Sequence, residues 1–290
     1  MSERRTIGEL VARYTLEPSL KDIYVEGRTD RALIALALDS WPRSHGVNVY
    51  DIDSVHIPPE LLATKGFTEG NKARVLTLAD ELDRECTESL TARVVCLADR
   101  DLDTILGAEC DCPLVVYTSG PSLDLVVASP TVLGKLLTVV MGGSSLSPRG
   151  LLAQLSPVLA ERLLQRVALR AISPNAVMLS AVKDLTFEDG ALEFDANRYI
   201  TRLLSKNAIE PRRDEFLAAM DAYRPRMPLS PQPHAHIDDF FECLHLCVRT
   251  VKPRRVPGVD HFRRFLLGFV EGPQVAALPE LREVRRRFGV

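Results

Sequence analysis

No stretch of this 290-residue sequence is long and uncharged enough to span a bilayer. The opening MSERRTIGELVARYTLEP has no uninterrupted apolar h-region and no small-residue cleavage site. Both absences predict a cytoplasmic protein. Strong net charge is missing too: the balance of −3 does not advertise a nucleic-acid binder. There is no CxxC pair, and the six cysteines sit mostly inside apolar runs such as VVCLAD and FFECLHLCV. That usage reads as reduced core thiols rather than a disulfide framework or a zinc site. GFTEGNK (66–72) lacks both the spacing and the Ser/Thr of a Walker A loop, so any ATP hydrolysis must come from another subunit. No internal repeat at a fixed period is present.

The sequence does carry enough apolar residues, 46%, for a full core, and an ordinary charged fraction of 26%, which excludes disorder. Its length suits two domains of common size. In the first half, β-rich runs alternate with helical spacing. KDIYVEG (21–27), VNVYDIDSVHI (47–57), TARVVCLAD (91–99) and CPLVVYTS (112–119) read as strands. TDRALIALALDSW (29–41) and NKARVLTLADELDREC (71–86) read as helices, with Thr29 and Asn71 as N-caps. This order predicts βαβ units and a parallel sheet. MGGSSLSPRG (141–150) then reads as a linker. Beyond it, apolar residues recur at three- and four-residue intervals over 151–172, 196–209, 213–223, 237–251 and 279–288, while 185–194 suggests a hairpin around Asp189–Gly190. The expected organisation is an α/β domain over 1–142 and a mainly helical domain over 143–290.

Ligands of open parallel sheets bind outside the carboxyl ends of the strands. Two acidic clusters fall at such ends. In VEGRTD, Glu26 closes a strand, Gly27 leaves room for a sharp turn, and Asp30 opens the following helix. In VVCLADRDLDTIL (94–106), Asp99, Asp101 and Asp103 stand at alternate positions after an apolar run. In extended backbone Asp99 and Asp101 project to the same side. Crowded carboxylates repel, and a hard cation, Mg²⁺ or Mn²⁺, would offset that repulsion.

The set IYVEGRTD (23–30), EGNKARVL (69–76), VVCLADRDLD (94–103) and YTSGPSLD (117–124) resembles the TOPRIM-like nucleases of prokaryotic defence systems, the OLD-type group included. It is especially similar to the nuclease effectors that accompany an ATPase in PARIS anti-phage systems. The resemblance spans roughly the first 130 residues. It implies a TOPRIM-like fold and a Mg²⁺-dependent endonuclease, with Mn²⁺ as the other candidate ion. It further implies a toxic effector controlled by a partner ATPase, dimeric when active, with tRNA or DNA as the nucleic acid cut. Glu26 would be a metal ligand or position the attacking water. Asp30, Asp99 and Asp101 would hold one or two ions, and Lys72 would sit near the scissile phosphate. Asp124 stands where these nucleases often carry a glutamate, one methylene longer. The tyrosines lack the setting of a topoisomerase nucleophile.

Duller roles stand beside these. Glu26 can cap a strand, Asp30 can favour the positive end of its helix, Asp103 can start the next turn, and Arg100 can tether a solvated acidic turn. Lys72 can lie on a solvated helix face, and Asp124 can begin a helix. HAH (234–236) with Cys243, His245 and Cys247 resembles a zinc set only superficially, because His245 points away from the face that the cysteines share. Arg255 and His261 have a spacing reminiscent of some metal-independent ribonucleases. From Lys252 to Val290 nine Lys/Arg face four acidic residues, a surplus suited to phosphate backbones or to an acidic partner. Two other functions remain: a primase-like nucleotidyl transferase, and a non-catalytic interaction subunit with a vestigial metal site.

Overall fold

The computed structural model describes residues 4–42, 44, 46–67, 69–140, 142, 147–227, 235–251 and 256–290. The chain runs through β1 (Arg5–Thr6), α1 (Ile7–Leu16), β2 (Lys21–Val25), α2 (Arg28–Asp39), β3 (Val47–Asp51) and β4 (Val55–His56). There follow α3 (Pro59–Thr64), α4 (Asn71–Glu85), β5 (Val94–Ala98), α5 (Asp103–Leu106), β6 (Val115–Tyr117) and α6 (Pro130–Val139). Next come α7 (Pro148–Ile172), β7 (Leu185–Glu188), β8 (Ala191–Phe194), α8 (Ala196–Lys206) and α9 (Arg213–Tyr223). The last four are α10 (Ile237–Val251), α11 (Val259–Leu267), α12 (Gly272–Ala276) and α13 (Pro279–Phe288). This is an α/β protein with a parallel sheet and a helical C-terminal region.

Four strands form the parallel sheet, in the order β3-β2-β5-β6. The apolar runs of β2 and β5 explain their central places: Asp22 to Val25 and Val94 to Ala98 are all buried. Alternation sends Tyr24, Val94, Cys96 and Ala98 to a core with Leu10 and Tyr14 of α1 and Val75, Leu78, Ala79 and Leu82 of α4. Ile23, Val25, Val95 and Leu97 point to the other face. There α2 packs along β2 and β3, and α12 packs on α2. Gly272 of α12 approaches α2 so closely that a Cβ at this position would lie 2.2 Å from the Leu36 carbonyl oxygen.

Asp22, fully buried at the start of β2, is satisfied on every side. Tyr14 Oη donates to it at 2.8 Å, Asn48 Nδ2 donates at 2.9 Å, and the Arg13 guanidinium lies 3.2 Å away. Burial pushes the Tyr14 and Tyr24 hydroxyls far above the ordinary tyrosine range. Asp22 therefore lies at the amino end of the sheet, away from the strand ends where ligands collect.

The chain does not divide at a single cut. One compact unit comprises 1–100, 109–126 and 271–290; the other comprises 101–108 and 127–270. The C-terminal segment rejoins the first unit because α12 packs on α2, and because Arg287 of α13 donates to the Pro113 carbonyl at 2.6 Å beside β6. Half of the linker expected over 141–150 lies outside the described residues; of the rest, Ser147 caps α7 through Gly150 N at 2.9 Å and Pro148–Gly150 begin that helix.

Within the second unit α7 packs against α6, α9, α10 and β8. The expected hairpin is present, turning through Asp189 (φ 50) and Gly190 (φ 79), the left-handed pair of a type I′ turn. Arg162, wholly buried in α7, donates to Asp239 at 2.7 Å and lies 4.1 Å over the Tyr199 ring. Arg166 donates to the other Asp239 oxygen at 2.7 Å. Burial would raise the Asp239 pKa, but the two guanidiniums outweigh it and hold the carboxyl below its usual range. Among the described residues no helix is long and apolar enough to cross a membrane.

Candidate active site

The sheet order creates a topological switch point. From β2 the chain moves out to β3, then returns past β2 to β5 and moves out again to β6. Crossovers leaving in opposite directions place α2 and α4 on opposite faces, which opens a crevice above the β2 and β5 ends. Glu26 follows β2 and Asp99 follows β5, so these two residues stand at the two lips of that crevice.

They are joined directly. The Asp99 N–H donates to Glu26 Oε1 at 2.8 Å, and Asp99 Oδ1 in turn accepts from Leu123 N at 3.1 Å. The next residue, Asp124, is buried in a 3₁₀ turn and accepts from Ser122 Oγ at 2.7 Å. Lys72, in the first turn of α4, brings its ammonium 3.4 Å from the Arg100 carbonyl oxygen. Glu26 and Asp99 are thus joined directly, Lys72 reaches the backbone of the residue after Asp99, and Asp124 follows the residue whose N–H meets Asp99. Thr118, a residue the sequence reading passed over, fixes the neighbouring exits. Buried after β6, it accepts from Arg100 N at 2.9 Å and donates to the Gly120 carbonyl at 2.7 Å. A hydroxyl immediately after the apolar run of β6 was the available signal.

Other expected residues take different settings. Asp30 Oδ2 accepts from Gly27 N at 3.0 Å, closing the first turn of α2. The helix starts at Arg28, so the cap position belongs to Gly27 rather than Thr29; likewise Gly70, not Asn71, precedes α4. Gly27 itself has φ −146, extended backbone open to any residue, and a Cβ there would meet Asp30 at an ordinary 3.5 Å. Its presence is not forced by the turn. Strand β5 stops at Ala98, and Asp101 takes a left-handed φ of 48. The same-side projection of Asp99 and Asp101 required extended backbone, which this local geometry does not provide. Asp101 and Asp103 belong to the 101–108 segment of the second unit, and Asp103 begins α5. Arg100 pairs with Glu109 at 3.3 Å. None of Glu26, Asp30, Lys72, Asp99, Asp101, Asp103 and Asp124 is without an interacting neighbour.

Among the described residues no three His, Cys, Asp or Glu side chains group as a protein cage for a metal would require. At the switch point two acidic residues, Glu26 and Asp99, are tied through the Asp99 N–H; carboxylates of this type suit Mg²⁺ or Mn²⁺ in the mode in which one or two carboxylates bind and water completes the shell.

The remaining motifs are accounted for separately. Cys243 and Cys247 are buried on α10, and His245 Nε2 hydrogen-bonds the Pro257 carbonyl oxygen at 2.8 Å. His234, Lys252, Arg254 and Arg255 lie outside the described residues. The rest of the C-terminal basic surplus is shared out: Arg263 and Arg264 belong to the second unit, Arg282 and Arg285–Arg287 to the first. Several of these guanidiniums are already engaged, Arg263 with Asp238 at 3.1 Å and Arg286 with Glu283 at 2.7 Å. No protein-family model matches the chain, and no curated protein matches it.

Proposed function

We propose that this chain is a metal-dependent endonuclease of TOPRIM-like fold, cutting phosphodiester bonds at the β2/β5 switch point. The observation that carries the reading is the direct tie between Glu26 and Asp99 at adjacent parallel strand ends. It is supported by a cation, Lys72, arriving at the same exit. Glu26 and Asp99 would hold Mg²⁺ or Mn²⁺, with Asp30, Asp101 and Asp124 as further candidates. The chemistry a bound ion supplies there is polarisation of a phosphoryl oxygen and acidification of water.

The chain's own residues do the rest. Asp99 N–H fixes the Glu26 carboxylate, so it meets water or a phosphate in one orientation. The Lys72 ammonium offsets negative charge gathering on the phosphate. Asp30 secures the first turn of α2 behind Glu26. The setting we propose is that of a toxic anti-phage effector, cytoplasmic and dimeric when active, restrained by a partner ATPase and cutting tRNA or DNA.

One observation favours a second reading, a non-catalytic interaction subunit. Asp30 and Asp124 each accept a hydrogen bond from their own turn, and Asp99 accepts one from the backbone of the segment after β6, which is also what structural carboxylates do. A cleavage assay separates the two. Total tRNA, plasmid DNA and single strands are incubated with Mg²⁺, Mn²⁺ or EDTA, with and without a co-encoded ATPase, using wild type and Glu26→Gln. Cleavage that needs both the ion and Glu26 is expected. Absence of cleavage in every arm, partner included, refutes the nuclease and leaves the interaction subunit.

A further inference from the structure

Strand β3 is an edge, and its one ladder among the described residues is the five-pair register with β2. Proteins usually disarm such an edge with lysine, proline, a bulge or a covering element. Here the opposite edge, β6, is packed by α13, but the sequence of β3, VNVYD, contains no lysine or proline, and its register has no bulge. Its single charge, Asp51, is already engaged by Arg31 at 3.0 Å. Between this edge and α2 lies a groove of about 620 Å³, lined by half-buried Val47 and Val49 and by exposed Arg28, Ala32, Ala35 and Asp39.

The charges of the groove are ordered. Arg28 and Asp39 are eleven residues apart on α2, three full turns, so they share one face about 16 Å apart. The helix runs antiparallel to its strands, which puts Arg28 and Arg31 beside the carboxyl end of β3 and Asp39 beside its amino end. Arg31 is balanced there by Asp51, which leaves Arg28 as the cation of that end, while Asp39 marks the other. A two-fold axis through the edge makes the paired strands antiparallel and brings unlike ends together. Centred on Val49, it sets Val49 against Val49, Asn48 against Tyr50 and Val47 against Asp51. It also sets Arg28 of each copy near Asp39 of the other. The small side chains of Ala32 and Ala35 leave room for the two α2 helices between these charged ends.

We propose that the occupant of this groove is a second copy of the chain, joined through antiparallel β3–β3 pairing that makes one eight-stranded sheet. The seam belongs to the first unit, and it does not depend on the nuclease reading.

Charge reversal tests it by sedimentation velocity over a concentration series, with circular dichroism confirming that each variant is folded. Wild type should dimerise. Arg28→Glu opposes Glu to Asp39 twice, and Asp39→Arg opposes Arg to Arg28 twice, so each alone should weaken the dimer about tenfold or more. Mixing the two single variants restores both unlike pairs, and a heterodimer should form. The double variant Arg28→Glu/Asp39→Arg should also dimerise by itself. A monomeric wild type, a dimer indifferent to both reversals, or a mixture that stays monomeric overturns the proposal.

Discussion

Gly272→Ala tests how closely the C-terminal segment rejoins the α/β unit, because two opposing effects predict opposite signs. Alanine is the better helix former by about 0.5–1 kcal/mol, so propensity alone predicts a more stable protein. The structure predicts the reverse. A Cβ at 272 would sit 2.2 Å from the Leu36 oxygen and 3.1 Å from its carbonyl carbon, both backbone atoms that no rotamer change can move. Relieving the clash means parting α12 from α2 by about 1 Å along a packed face, and overpacking of this kind costs about 1–3 kcal/mol. The clash exceeds the propensity gain, leaving a net loss of about 1–2 kcal/mol. For a unit of this size that lowers Tm by roughly 3–8 °C. Gly134→Ala is the matched control. Gly134 lies inside α6, and its Cβ would meet Pro148 Cγ at an ordinary 3.7 Å, so there propensity should win and Tm should rise. Thermal and urea unfolding followed by circular dichroism measure both. A Gly272→Ala protein as stable as wild type, or more so, refutes the close approach of α12 to α2.

Two further outcomes follow from buried groups. Asp239→Asn leaves the Arg162 and Arg166 guanidiniums without their carboxylate, and urea titration should show a loss of about 3–5 kcal/mol. The folded Asp239 pKa is lowered, so its stabilisation is complete above the unfolded value of about 4 and drains as pH falls through the folded one. The acid limb of the wild-type stability profile should therefore be steeper than that of the variant. Of the six free cysteines, Cys96, Cys243 and Cys247 are buried. Burial pushes the Cys247 thiol up to about 12 and the other two higher still. A thiol-reagent titration of native protein should thus count no more than Cys86, Cys110 and Cys112, with all six reacting in denaturant; more than three native equivalents contradicts this core.

The elements that were legible are those whose burial imposes a period. Helices α9, α10 and α13 occupy the expected 213–223, 237–251 and 279–288, because each turns an apolar stripe to a core. The strand runs were also legible, since β2 and β5 are buried on both faces and read as continuous apolar sequence. The run over 47–57 was read as one strand because its alternation continues through a 3₁₀ turn at Ile52–Ser54 that separates β3 from β4. What stayed hidden is long-range. Nothing local in 271–290 says that α12 and α13 return to the first unit, since Gly272 there looks like a turn residue and its reason is Leu36, 236 residues earlier in the chain.

The same division explains the candidate site. The sequence exposes residues that a strand end must carry, and Glu26 and Asp99 are legible because β2 and β5 are. The same-side projection of Asp99 and Asp101 assumed extended backbone beyond a strand read to Asp99; β5 ends at Ala98, and aspartate tolerates the left-handed backbone that Asp101 adopts, so the chain can turn there without glycine. The electrostatic cost of crowding carboxylates was the reason to invoke a cation. The structure adds that part of that cost is met by backbone N–H donors, from Asp99 to Glu26, from Gly27 to Asp30 and from Leu123 to Asp99. Such donors stabilise a carboxylate in place without cancelling its charge. Glu26→Gln keeps the shape and an acceptor oxygen while removing the charge, and is therefore the substitution that separates a metal ligand from a structural link.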